Sequence, residues 1–81
     1  MKRVIKFEAT WCSPCKMLSN ILETVTTDVP IERYDIDEHM EYAQSFGIRG
    51  VPTMVMLDGN TEMKRMSGIL NKEDLEKWLN D

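Results

Sequence analysis

Cys12 and Cys15 are the only cysteines in the chain, and with two residues between them they can close only a very small ring. A crosslink over so short a loop removes little entropy from the unfolded chain, so the pair cannot staple a fold together. The 81 residues must bury a core of their own, close to the lower size limit at which a chain manages that unaided. They are expected to form a single domain over residues 1–81, and the cysteines are left free for chemistry.

The order of elements follows from apolar periodicity. Val4 to Ala9 alternates as a strand, with Ile5 and Phe7 on one face and Val4, Lys6 and Glu8 on the other. Thr10 to Cys15 turns into a helix on which Met17, Leu18, Ile21, Leu22 and Val25 make one apolar stripe, ended by Asp28 and Pro30. Ile31 to Ile36 is a short strand with interleaved charges, which suits a sheet edge. His39 to Phe46 is a short helix, with Tyr42 and Phe46 facing inward and Gly47 at the left-handed cap. Thr53 to Leu57 is nearly continuously apolar, as in a central strand, and Asp58-Gly59-Asn60 turns the chain back into Thr61 to Met66. Gly68 breaks that strand, and Asn71 caps a last helix that buries Leu75, Trp78 and Leu79. The expected fold is α/β, in the order β-α-β-α-β-β-α, with a four-stranded mixed sheet and three helices. Met17, Met54 and Met56 fall on buried periodicities and are expected to fill the core.

Charge excludes some classes of partner. The net charge is −4, and the densest basic group, Lys2, Arg3 and Lys6, is too sparse to track a phosphate backbone, so no nucleic-acid partner is expected. The acidic residues Asp35, Asp37, Glu38 and Glu41 read as a solvated surface. No segment has the length of a membrane span or the apolar run of a signal peptide, so a cytoplasmic protein is expected, and nothing demands more than a monomer. In a reducing compartment a Cys-x-x-Cys is a redox or metal-binding pair. With His39 as the single histidine, a closed zinc site would need carboxylates, and no metal is expected.

The segment Ala9-Thr10-Trp11-Cys12-Ser13-Pro14-Cys15-Lys16 lies where strand passes into helix. Unpaired N–H groups and the helix dipole at that point stabilise a thiolate, lowering a thiol pKa from its free value of about 8.5. Cys12 at the first turn is expected to be the exposed nucleophile, with Cys15 one turn in and able to attack a mixed disulfide on it. Pro14 restricts the loop where a missing N–H costs nothing, and Trp11 offers a flat apolar surface beside the sulfur. Lys6 and Lys16 are the cations placed to tune thiol acidity.

Trp11-Cys12-Ser13-Pro14-Cys15-Lys16 resembles the thioredoxin active-site motif, and Phe46-Gly47-Ile48-Arg49-Gly50-Val51-Pro52-Thr53 is similar to the thioredoxin segment that carries a cis-proline. The match runs from Val4 to Leu79 and looks like a minimal thioredoxin fold without the first strand and helix, close to the short thioredoxin and glutaredoxin-like forms. The resemblance implies that Val51–Pro52 is cis and faces the disulfide, that Val51 pairs with an extended substrate, and that Gly68 keeps the docking groove open. It implies a protein-disulfide reductase with no bound cofactor, fed by a flavin reductase using NADPH, with ribonucleotide reductase as a client. A glutathione-fed, glutaredoxin-like enzyme and a non-enzymatic scaffold module using the same docking face are the alternatives. One departure stands out. Where the family usually has a buried acid, six residues before the first cysteine, this chain has Lys6. Its ammonium is expected to reach solvent across a face left open by the absent helix, or to pair with an acid.

Overall fold

The computed structural model describes all residues, 1–81. Seven elements follow the expected order: β1 Lys2–Glu8, α1 Ser13–Leu22, β2 Ile31–Asp35, α2 Met40–Ser45, β3 Thr53–Asp58, β4 Thr61–Ser67 and α3 Lys72–Asn80. The strands form one sheet in the order β2-β1-β3-β4. β1 pairs parallel with β2 and antiparallel with β3, and β3 pairs antiparallel with β4. The two strands richest in apolar residues, β1 and β3, therefore lie in the middle, and charge-interleaved β2 lies at an edge.

Alternation along the central strands sorts the core into two layers. Val4, Met54 and Met56 pack with Leu18 of α1 and with Leu75 and Leu79 of α3. Ile5, Phe7, Val55 and Leu57 point the other way, against Ala43 of α2 and the half-buried Tyr34, Tyr42 and Phe46. Local signals set the element ends. The Asn71 Oδ1 accepts the Asp74 N–H at 2.8 Å and caps α3. Gly47 takes a φ of +66° just past α2, the left-handed conformation that needs no Cβ.

α1 is shorter than its stripe predicts. It stops at Leu22, and Thr24 and Val25 continue only as turns back to Ile21 and Leu22. The β-branched run Thr24-Val25-Thr26-Thr27 disfavours further helix. Met17 is a correction to the expected core: it is 55% exposed. Leu18 and Cys15, three apart, face the sheet, and Met17 is turned about 100° away from Leu18. Met54 and Met56 are fully buried as expected. Trp78 is only half-buried; it packs on the core edge, with the Lys64 ammonium 5.0 Å from its ring centre.

Candidate functional site

The site forms where β1 runs into α1. Cys12 is the N-cap of α1 in extended conformation, and Ser13 and Pro14 begin the helix. Cys12 and Cys15 are joined as a disulfide with their Cα atoms 5.3 Å apart. The Cys15 N–H points back at the Cys12 Sγ, 3.1 Å away, so a backbone donor at the helix end serves the first sulfur. Pro14 sits where its missing N–H has no role in the helix.

The loop before β3 faces this pair. The Val51–Pro52 peptide bond is cis, as the resemblance implied. The Val51 carbonyl oxygen lies 3.7 Å from the Cys12 Sγ. The loop is tied at both ends: Thr53 Oγ1 donates to the Gly50 carbonyl at 2.8 Å, and the Gly68 N–H donates to the Pro52 carbonyl at 3.0 Å. Gly68 has a φ of +84°, so backbone conformation calls for glycine here, although a Cβ would stand in open space.

Two expectations need correction. Cys12 is not openly exposed: with the disulfide closed it is 4% exposed, packed with Ala9, Cys15, Ile36 and Val51. The proline loop covers its apolar side. Lys6 does not reach solvent: it is 1% exposed. Alternation places it on the side of β1 that α1 covers, so the ammonium meets helix and neighbouring side chains. Its Nζ donates to Glu8 Oε1 at 2.6 Å, to Ser19 Oγ at 2.5 Å and to the Cys15 carbonyl at 3.4 Å. Pairing with an acid, the other half of the expectation, is what the structure shows. Glu8 is also clasped by Arg33, whose Nε and terminal nitrogen reach its two oxygens at 2.9–3.1 Å. Burial pushes the Glu8 carboxyl up, but its bonds to Arg33 and then Lys6 outweigh that and hold it below the usual range.

Trp11 lies on the surface as expected, 66% exposed. Its indole Nε1–H donates to Asp37 Oδ2 at 2.8 Å, and the Asp37 N–H is in turn held by Asp35 Oδ1 at 2.8 Å. Asp37 is a site residue that the sequence places only within a solvated acidic group. The turn-forming Asp-x-Asp spacing after a strand was the available signal. Glu8 was also missed as a partner of Lys6, although two-residue spacing on one strand puts them on the same face. Lys16 is exposed and lines a polar cavity of about 330 Å³ with Glu8, Cys15, Ser19 and Arg33. No group of three or more side chains is arranged to hold a metal ion, and no helix is long and apolar enough to cross a membrane.

The thioredoxin family model matches residues 1–81. The chain is 34% identical to a thioredoxin of Chlamydia caviae over 80 residues, covering 95% of this chain and 78% of that one. It is 33% identical over 82 residues to a bifunctional thioredoxin reductase/thioredoxin of Mycobacterium leprae, covering 96% of this chain and 18% of that larger protein. A solved mutant thioredoxin of Halobacterium salinarum superposes with a TM-score of 0.89 at 31% identity, over 98% of this chain and 72% of that one. Sequence and backbone agree along nearly the whole chain, and the cysteines are bonded where exchange chemistry needs them: the chain belongs to the thioredoxin family and is a thiol–disulfide oxidoreductase.

Proposed function

We propose that this chain reduces disulfides in protein clients, with Cys12 as the attacking sulfur and Cys15 as the resolving one. The observation that carries this assignment is the Cys12 Sγ at the cap of α1, accepting the Cys15 N–H. Once reduced, a sulfur in that position has a backbone donor and the positive end of the helix to hold its thiolate. The Cys12 thiolate attacks one client sulfur, forming a mixed disulfide and releasing the other client sulfur as a thiolate that takes a proton. The Cys15 thiol loses its proton and attacks the Cys12 sulfur, expelling the second client thiolate. Two electrons pass to the client and the Cys12–Cys15 bond is restored.

Trp11, Pro14, Val51, Pro52 and Gly68 form the docking surface in this reading, with the Val51 backbone available to pair with an extended client strand. Lys6 and Lys16 act as the cations that tune thiol acidity. The sulfurs carry both electrons, so no bound cofactor is required. A thioredoxin reductase using NADPH is the donor we assign; the relative whose name joins that reductase to a thioredoxin supports the pairing. Ribonucleotide reductase is a suitable client, and a monomer in the cytoplasm suits the chemistry, because a reductase works where its donor keeps thiols reduced.

Insulin reduction tests the proposal. With thioredoxin reductase and NADPH the parent is expected to turn over, and Cys12→Ser and Cys15→Ser are each expected to fall to background. Turnover by the parent no higher than that of the doubly substituted protein overturns the exchange mechanism and favours a scaffold module. Turnover with glutathione but not with the reductase replaces the assigned donor with the glutaredoxin-like one.

A further inference from the structure

Lys6 is the only charged side chain in the molecule that is fully buried. Three elements meet on it. It extends from β1, touches the Cys15 carbonyl and Ser19 of α1, and grips Glu8, which Arg33 of β2 clasps from the far side. No buried side-chain polar atom is left without a partner. Lys6 is thus held against the backbone of the second cysteine, with Glu8 and the largely exposed Arg33 around the same cavity.

We infer that Lys6 and Glu8 form an opposed charge pair that sets the redox equilibrium of Cys12 and Cys15, Lys6 favouring the dithiol and Glu8 the disulfide. Arg33 and Ser19 are positioning residues that hold the pair. The inference rests on the exchange chemistry proposed above and concerns its driving force.

Reduction adds two electrons and two protons to the disulfide, and at neutral pH an acidic thiol gives one proton back to solvent. The reduced site is then negative while the disulfide is neutral. A nearby ammonium stabilises the reduced state, and a nearby carboxylate destabilises it. Burial limits the screening that would erase such an effect at the surface. Packing alone has no such sign. If the pair merely filled space, removing either charge would disturb the site in the same sense or not at all.

The experiment equilibrates the whole protein in glutathione buffers of graded ratio and traps the thiols by alkylation. Lys6→Met is expected to shift the equilibrium toward the disulfide by about three- to tenfold, or about 15–30 mV for this two-electron couple. Glu8→Gln is expected to shift it toward the dithiol by about threefold. Shifts of the same sign, reversed signs, or no shift beyond about twofold overturn the inference while leaving a working disulfide reductase. If Lys6→Met does not fold, Glu8→Gln decides alone: a shift toward the dithiol supports the inference, and any other result overturns it. A parent whose disulfide exchanges with neither glutathione nor dithiothreitol overturns the proposed function, and this inference falls with it; if only dithiothreitol exchanges, the same titration is run in its buffers.

Discussion

The two faces of the sheet bury similar strands in different company. On one, α1 and α3 cover a layer of aliphatic side chains, Val4, Leu18, Met54, Met56, Leu75 and Leu79, and the buried ammonium of Lys6 lies on the same side. On the other, the six-residue α2 is the only helix, and aromatic rings do the covering. Phe7 is fully buried there, with ring centres of Tyr34, Tyr42 and Phe46 at 6.4, 5.8 and 5.6 Å. Large rings let a short helix and an edge strand close a face with few residues. The aliphatic face instead spends a longer helix on holding the cysteines. One face mainly supplies stability, and the other couples stability to chemistry.

The sharpest way to break that contrast is to hollow out each face. Phe7→Ala is expected to cost about 3–5 kcal/mol and Leu18→Ala about 2–5 kcal/mol, measured by urea unfolding. Only Leu18→Ala, which loosens α1 beneath the disulfide, is expected to change the alkylation rate of the reduced cysteines under native conditions. Equal acceleration in the Phe7 variant would show that the faces are not separable in function.

A smaller effect is expected from the cap of α3. Asn71→Ala removes the acceptor of the Asp74 N–H and is expected to cost about 0.5–2 kcal/mol, with insulin turnover unchanged at temperatures where the protein stays folded. Lost turnover in the folded variant would mean that the aliphatic face reaches the site through α3 as well as α1.

The smallest effect is electrostatic. Glu8 is held below its ordinary value of 4.5 in the folded protein, so its ionised form contributes stability that is complete above that value. As pH falls past 4.5 and through the lower native value, the contribution disappears. The Glu8→Gln protein should lose less stability on acidification than the parent. Glu62 is also held low, by Arg65 on the surface, so the comparison belongs in high salt, where that exposed pair is screened. Parallel acid profiles for parent and Glu8→Gln would remove Glu8 from the account.

Much of this was legible along the chain. Strand alternation, the Asn71 cap, Gly47 and the Gly59 turn each depend on residues a few positions apart, and the structure keeps them all. The Cys-x-x-Cys at a strand-to-helix junction was legible for the same reason. Met17 was misread because a stripe of spacing three and four does not say which of its edges meets the sheet. Cys12 was expected to be open because local sequence does not show that the Val51–Pro52 loop, thirty-nine residues on, lies against it.

Lys6 marks the boundary between the two kinds of knowledge. Its place on β1 and its face of the strand follow from a two-residue repeat, which sequence alone determines. What it touches does not. Only the parallel register that sets Lys6 beside Arg33 of β2, and the seating of α1 that brings Ser19 and the Cys15 carbonyl within reach, decide that a buried ammonium is matched rather than stranded. Local backbone preference acts over a few residues, whereas a buried charge is compensated by whatever the whole fold brings to it.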